Sequence, residues 1–320
     1  MKWVENMTFI PMASFLSAIS QGLLWSILAI GVYITYRVLD FADLTTEGSF
    51  PLGAAVAAQC IVNGGNPFGA TMLSFIVGLI AGFVTGILHT KLKIPGLLAG
   101  ILVMTGLYSI NLRVMGGKAN LPLLKQKTII TSVVEFFSTE AKTFSTANAV
   151  MLVGILSVIV VILILWLMFS TEFGFALRAT GDNPRMISAL GVNTDIMVIL
   201  GLMISNGLIA LSGGLIAQYN GYSDVGMGVG TIVIGLASVI IGEVLLGRRG
   251  MAWCLISVVV GSILYRIIIA FVLANKLQPT DLKLFSSIVL VICLSLPAAK
   301  EWYRDFINRR SPKQKNKEVK

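Results

Sequence analysis

Long apolar runs without a single charged residue alternate with short polar connections along most of the chain. These runs cover residues 6–36, 48–88, 94–112, 143–171 and 196–223. A helix of about 20 apolar residues crosses a bilayer, and the runs are continuous, whereas the strands of a transmembrane barrel alternate apolar and polar residues. The pattern predicts an all-α fold, a multi-pass transmembrane helical bundle with about 8–10 membrane segments, some of them short or broken.

Composition leaves little room for a soluble domain. Hydrophobic residues make up 56% of the chain and charged residues 12%, whereas a soluble domain carries about 25% charged residues. We therefore expect one transmembrane domain over residues 1–299, followed by a basic tail over residues 300–320. Basic segments beside a membrane are usually cytoplasmic, and neighbouring anionic lipid accounts for the charge of this tail without a nucleic-acid partner.

Residue types that carry catalysis or bind metals are sparse. The three cysteines, Cys60, Cys254 and Cys293, lie singly in apolar runs, and His89 is the only histidine. Single buried cysteines behave as small apolar side chains, so the sequence predicts neither a metal site nor a cofactor. A membrane enzyme is disfavoured, because no Ser–His pair and no cluster of His, Asp and Glu stands out.

The polar segment of residues 170–195 has strong helix-capping signals between two apolar runs. Asp182 or Asn183 can cap a helix that begins with a proline, and Gly191 fits the left-handed position that ends one. The predicted helix, residues 184–190, is too short to be stable alone, so it must dock on another surface. We expect that surface to be another protein, contacted by an apolar face and two flanking arginines: Met186, Ile187, Leu190, Arg178 and Arg185.

A second unusual stretch places polar side chains before a helix that is too short to cross a membrane. Residues 49–62 are followed by a break at residues 63–67. The preceding backbone crosses membrane depth in non-helical form, or the segment is re-entrant, or it is an ordinary membrane-edge loop; the pattern leaves these open. A sixth polar residue lies in the middle of a later apolar run, where it either bonds another helix or lines a pathway. The predicted translocation-pathway residues are Asp43, Thr45, Thr46, Glu47, Ser49 and Asn206.

Residues 43–58 and 224–240 share an order of features: an acid, a break with glycine, and a short helix of small residues. Broken segments at corresponding positions of two halves indicate a transport pathway between them. A different glycine pattern, in which Gly78, Gly82 and Gly86 repeat every four residues, predicts a face where two helices approach closely.

Three blocks of sequence resemble the same protein family. The blocks are LTTEGSFPLGAAVAA (residues 44–58), RATGDNPRMISALGVNTD (residues 178–195) and GLASVIIGEVLLG (residues 235–247). Together they are similar to the permease subunits of bacterial ABC importers of the branched-chain amino acid, ribose and simple-sugar type, and occur in the order of that family. The resemblance covers residues 21–300. The coupling-loop pattern of the family falls on Gly181, Asn183, Ala189, Leu190 and Gly191.

The resemblance implies a set of partners in the bacterial inner membrane. Two permeases pair, as a homodimer or with a second permease, a cytoplasmic ABC ATPase docks on the coupling loop of residues 170–195, and an extracytoplasmic binding protein delivers the solute. The partner ATPase binds the ATP, since Gly117 and Lys118 are followed by Ala119 and do not complete a Walker A motif. Counting spans back from a cytoplasmic tail places the coupling loop on the cytoplasmic side.

The particular residues of two motifs indicate the class of substrate. TTEGSFPLGAA and the DLKL stretch of residues 281–284 are most similar to permeases assigned to tryptophan or tyrosine transport. The resemblance therefore implies a small solute, an aromatic or branched-chain amino acid, with a sugar or nucleoside as the alternative. A secondary transporter or channel would need ion-coupling carboxylates deep in the bundle. Arg266 departs from the family's simple apolar span and leaves the fold of residues 252–297 open.

Overall fold

The computed structural model describes residues 12–138, 145–247 and 249–274, with isolated positions between 284 and 295. Within these residues the chain forms helices connected by short turns. The α-helices are α1 Met12–Tyr33, α2 Thr46–Val62, α3 Pro67–Thr90, α4 Gly96–Val114, α5 Ile129–Ser138, α6 Thr146–Phe169, α7 Glu172–Asp182, α8 Pro184–Ala189, α9 Thr194–Asn220, α10 Thr231–Leu246 and α11 Met251–Ala274.

Three shorter elements complete the described fold. A π-helical turn, Ile34–Val38, continues α1, and a 3₁₀ turn, Val225–Gly228, leads towards α10. Strand β1, Asn120–Pro122, pairs antiparallel with strand β2, Tyr222–Asp224. The sequence pattern did not predict this small sheet.

Helices long and apolar enough to cross a membrane dominate the structure, which confirms the predicted multi-pass helical bundle. Seven spans meet that description among the described residues, and they contain α1, α3, α4, α6, α9, α10 and α11. Helix α2, with 17 residues, is shorter than a full crossing. The end of the predicted transmembrane domain, residues 275–299, lies almost wholly outside the described residues, as does the basic tail of residues 300–320.

Helix α9 lies at the centre of the bundle, between α1 on one side and α2 and α3 on the other. The predicted glycine face of α3 packs on it, because a Cβ at Gly78 or Gly82 would overlap the backbone oxygens of Asn206 or Leu202. Such close approach increases dispersion contacts, which drive helix association inside a membrane. The predicted close-approach face is confirmed.

The two ends of the bundle differ in structure. At one end, here called the α8 end, α7 and α8 lie beside the first residues of α9, and Lys91 after α3 forms an ion pair with Asp195 of α9 at 3.5 Å. At the other end, here called the sheet end, β1 and β2 pair after α4 and α9. Arg37 and Glu243 join α1 to α10 near the α8 end through a bidentate ion pair.

Two of the crossings are broken in the middle, and they run in opposite directions. The chain leaves α1 at the α8 end, passes through irregular residues 39–45, and continues as α2 to the sheet end. Ser49 of α2 bonds Asn206, which lies about 18 Å along α9 from Thr194 at 1.5 Å per residue. The end of the non-helical stretch, at Asp43 and Thr45, therefore lies deep in the bundle and is buried by protein, whereas Asp40 and Ala42 are exposed. The re-entrant alternative is wrong, because α2 continues to the sheet end. The depth of residues 39–45 in a membrane stays a prediction.

The second broken crossing descends from β2 through the 3₁₀ turn and continues as α10 to the α8 end. Its helix begins next to the first turn of α2, because the backbone N–H of Gly230 donates to the Glu47 carboxylate at 2.9 Å. Asp43 and Asp224 each accept a hydrogen bond from the backbone N–H two residues later, Thr45 and Gly226. The shared order of features in the sequence thus corresponds to two half-helices of opposite direction whose N-terminal ends meet.

Candidate functional site

A buried cluster of polar side chains joins the first break to the central helix. The side-chain amide of Asn206 donates to Asp43 Oδ2 at 2.7 Å and to the carbonyl of Leu202 at 3.0 Å, and its Oδ1 accepts from Ser49 Oγ at 2.6 Å. The hydroxyl groups of Thr45 and Thr85 lie 2.8 Å apart and share a hydrogen bond. All five of these polar side chains are buried.

The cluster satisfies its own hydrogen-bonding groups. Asp43 accepts at both carboxylate oxygens, from Thr45 and Asn206, and the Thr46 hydroxyl donates to the Asp43 carbonyl at 3.1 Å. Buried polar groups inside a membrane protein persist where they are paired in this way. The structure therefore brings together Asp43, Thr45, Thr46, Ser49 and Asn206, and it encloses them in protein. Their part in a pathway stays a prediction.

Glu47, the remaining predicted pathway residue, lies differently. It is half-buried and lines a groove of about 290 Å³ between α2, α4 and the 3₁₀ turn. One carboxylate oxygen, Oε1, accepts from the Gly230 N–H, and within the described residues neither a lysine nor an arginine pairs with it. Of the six predicted residues, Glu47 is therefore the one that presents a polar group to an open space.

Asn111 is a groove residue that the sequence analysis did not single out. The structure places it inside α4, where its side chain donates to the Gly48 carbonyl at 3.3 Å. Asn111 lines the groove, and its other side-chain polar atom, Oδ1, is buried without a hydrogen-bond partner. A signal was present in the sequence, since the charge-free run continues past Asn111 to Leu112.

The second candidate site is the coupling loop at the α8 end. Asn183 caps α8, because its side chain accepts from the Met186 N–H at 3.1 Å, and Gly191 has a left-handed φ of 88°. The predicted cap, helix start and stop are thus confirmed. Ile187 is 7% exposed and packs into the chain, whereas Met186 is 52% and Leu190 72% exposed. Only two of the three expected docking side chains are therefore free to contact a partner.

Helix α7, which the sequence did not predict, supports α8 from behind. Gly181 fits tightly there, since a Cβ would overlap the Val38 carbonyl oxygen at the end of α1. Arg178 lies over the Phe175 ring at 4.8 Å and donates to the Phe169 carbonyl at 3.4 Å. Arg178 thus braces the junction of α6 and α7, while Arg185 is exposed on α8. The structure does not test whether any of these residues contacts an ATPase.

Arg266, whose surroundings the sequence left open, lies within a continuous α11 that extends to Ala274. Its guanidinium stacks on the Trp25 ring at 4.2 Å and donates to Gln21 at 3.4 Å. The apolar ring and the polar amide together accommodate the charge between α1 and α11.

Comparison with known proteins places this arrangement in a family. A family described as branched-chain amino acid transport system / permease component matches residues 14–295. The tyrosine transport system permease protein of Clostridioides difficile (strain R20291) is 43% identical over 284 residues, 89% of this chain and 91% of that protein. The autoinducer 2 import system permease protein LsrC of Yersinia pestis (strain Pestoides F) is 29% identical over 213 residues, 65% of this chain and 56% of that protein.

A solved structure, PsaBC from Streptococcus pneumoniae in complex with Fab, has a TM-score of 0.48 at 13% identity, over 92% of this chain and 95% of that chain. The family match extends over nearly all of the described bundle, including both broken crossings and the coupling loop. It confirms the resemblance carried by the three sequence blocks. The chain therefore belongs to the family of permease components of branched-chain amino acid transport systems and is the membrane-spanning subunit of an ABC importer.

Proposed function

We propose that this permease imports an aromatic amino acid, with tyrosine as the first candidate, across the bacterial inner membrane. The observation that carries this choice is the half-buried Glu47 in the groove, because a carboxylate suits a zwitterionic amino acid better than a neutral sugar. The 43% identity to a tyrosine transport system permease supports the same class. A sugar-like solute is the second candidate, since LsrC also resembles the chain.

The pathway in this proposal follows the groove between α2, α4 and the 3₁₀ turn. Transporters commonly place substrate sites where half-helices meet near the middle of the membrane, and here the N-terminal ends of α2 and α10 meet at Glu47. The buried cluster of Asp43, Thr45, Thr46, Ser49 and Asn206 holds the break in place beside it. Helix α4 is the least buried of the seven spans, so a second permease subunit, identical or related, would cover the groove along this face.

Coupling in this proposal runs from α8 to the groove through α9. The α8 end lies in the cytoplasm, where an ABC ATPase binds and hydrolyses ATP and docks on Met186, Leu190 and Arg185, all exposed. Asn193 caps the start of α9 directly after this loop, and Asn206 of the same helix bonds Asp43 at the break. A shift of α8 would therefore tilt α9 and move the break. An extracytoplasmic binding protein would deliver the substrate at the sheet end.

The docking surface can be tested by inserting one charge at two positions of matched exposure. Leu190 on α8 is 72% exposed and Leu124 at the sheet end is 78% exposed. We expect Leu190→Glu to reduce copurification of the ATPase encoded with this permease by about tenfold or more, because a carboxylate would be buried unpaired in an apolar contact. Leu124→Glu should copurify as the wild type does. Equal recovery of the ATPase with both variants would refute the proposed docking site.

A further inference from the structure

We propose that the groove contains a recognition site for an ammonium group, formed by Glu47 and Asn111. The site lies between α2 and α4, in the half-buried groove of about 290 Å³. This inference rests on the proposed import function. It adds that the permease itself recognises the ammonium group of the substrate.

Two residues that line the same groove each carry an acceptor oxygen without a partner among the described residues. Glu47 uses Oε1 to accept from the Gly230 N–H, and its Oε2 accepts no hydrogen bond within the described residues. Asn111 donates its amide N–H to the Gly48 carbonyl, which fixes the orientation of the amide and leaves Oδ1 as a buried acceptor without a partner. A buried acceptor that stays unpaired costs free energy, so a donor-rich ligand would be bound with a gain at both atoms.

The negative charge of the groove favours a cationic ligand over a neutral ligand that also donates hydrogen bonds. The residues lining the groove include one acid, Glu47, and no lysine or arginine. A carboxylate within the membrane normally pairs with a cation or with several donors, and Glu47 has a single backbone donor. An ammonium group has three N–H donors and a full positive charge, so it can bond Glu47 Oε2 and Asn111 Oδ1 together. Sugar hydroxyls would donate as well, but they would leave the charge unbalanced.

The acid one turn earlier is not available for this role. Asp43 is buried, and its two carboxylate oxygens already accept from the Thr45 N–H and the Asn206 amide. It bonds the centre of the bundle, whereas Glu47 faces the groove. The two acids thus have different roles: Asp43 stabilises the broken crossing, and Glu47 can bind a ligand.

The remaining wall of the groove suits an apolar or aromatic side chain. Beside the two acceptors it is lined mainly by carbon: Pro51, Met104, Tyr108, Val225 and Val229. Its volume lies at the lower end of the range for small-molecule sites, about 300 to 1,000 Å³. Tyr108 is exposed and can contact a ring. An amine that carries one aromatic group therefore matches the groove in both chemistry and size.

Protection of a cysteine in the groove tests this site without the binding protein. Thr105 lines the groove and is exposed, so Thr105→Cys serves as the reporter after serine replaces Cys60, Cys254 and Cys293. The full-length chain in lipid nanodiscs, alone and with its ATPase, is labelled with a maleimide. The probes are tyramine and L-tyrosine, which carry an ammonium group, and 3-(4-hydroxyphenyl)propionate and D-ribose, which do not.

We expect tyramine and L-tyrosine to slow labelling and the other two probes to leave it unchanged. Glu47→Gln keeps an acceptor for Gly230 and removes the charge, and it should raise the half-protecting concentration of tyramine about tenfold or more, as for loss of a bond between charged groups. Glu135→Gln removes an exposed carboxylate that pairs with Lys127, and it should leave protection unchanged. Glu47→Asp retains the charge and should restore part of the protection by tyramine.

Several outcomes would overturn the site. They are equal protection by the propionate and by tyramine, protection by ribose alone, no protection by any probe, or no change with Glu47→Gln. If Glu47→Gln does not yield a monodisperse protein, Glu47→Asp tests the site instead. Its shorter side chain should weaken protection by tyramine, so protection as strong as in the wild type would contradict the proposed site. A failure of the import proposal gives a different result. Tyrosine uptake would then be absent from proteoliposomes containing the whole importer, while tyramine would still protect the cysteine of Thr105→Cys.

Discussion

Replacing Asn206 by leucine tests whether the buried cluster locks the break between irregular residues 39–45 and α2. Leucine has a similar size and no hydrogen-bonding groups, so Asn206→Leu removes the bonds without leaving a large cavity. The bond from the amide to Asp43 Oδ2 is 2.7 Å long and involves a carboxylate. The bond from Ser49 matters less, because the Ser49 hydroxyl has a second acceptor, the Thr45 carbonyl at 3.1 Å.

The expected loss of stability follows from that one charged bond. A hydrogen bond to a charged group contributes about 1.5–3 kcal/mol, and bonds between transmembrane helices reach at most about 1.7 kcal/mol, because the unfolded chain in the membrane also finds partners. We therefore expect Asn206→Leu to lower the free energy of unfolding by about 1.6 kcal/mol, roughly a 15-fold change in the unfolding equilibrium. Unfolding in mixed micelles titrated with dodecyl sulfate measures this quantity.

A neutral replacement of Asp43 provides the matched comparison. In Asp43→Asn, the Asn206 amide can turn over, accept from the new amide, and donate to Ser49, whose hydroxyl then donates to the Thr45 carbonyl. The turned amide no longer donates to the Leu202 carbonyl. One neutral hydrogen bond is therefore lost and the others stay paired, so the free energy of unfolding should fall by only about 0.5–1 kcal/mol. A loss below about 0.5 kcal/mol for Asn206→Leu would refute the locking role. An Asp43→Asn loss as large as that of Asn206→Leu would show that the negative charge itself is required.

Two further predictions address helix packing and the coupling loop. Gly82→Leu should prevent α3 from packing on α9, because even a Cβ would overlap the Leu202 carbonyl, and the expected result is loss of monodisperse protein in size-exclusion chromatography. Gly106→Leu on α4 is the matched control, since no atom lies within 4 Å of its added Cβ. Asn183→Ala removes the cap of α8, worth about 1 kcal/mol, and should weaken copurification of the ATPase severalfold. Asn183→Asp keeps an acceptor for the Met186 N–H and should leave copurification unchanged. Equal recovery of the ATPase with both variants would contradict the capping role.

The sequence predicted the membrane fold because hydropathy and length are local properties of each helix. It also predicted α8, since a cap at Asn183 and a left-handed stop at Gly191 need only neighbouring residues. It could not predict that Ile187 points into the chain while Met186 points out. On a helix of six residues, the inward face depends on α7 and α9, and neither the existence of α7 nor its angle was visible in the pattern.

The ends of helices account for other differences. Asn111 was not singled out because the charge-free run ends one residue after it, at Leu112, whereas the structure extends α4 to Val114. The pairing of β1 with β2 also escaped prediction, because it joins three-residue strands about a hundred positions apart in the chain. Strands this short have no alternating pattern of their own, and their pairing depends on where α4 and α9 end.

The two acids of the first break show why a list of polar residues does not yet define a substrate site. Asp43 and Glu47 are four positions apart and equally acidic in the sequence. Both carboxylate oxygens of Asp43 accept hydrogen bonds because Asn206 of α9 reaches the second one. Glu47 is left with one backbone donor because the neighbouring groove wall is α4, whose Asn111 amide donates to the Gly48 carbonyl instead. Which acid can bind a ligand is therefore decided by the helix packed against each. A permease that reads an ammonium group needs both arrangements, one to hold the broken helix and one to leave a carboxylate available.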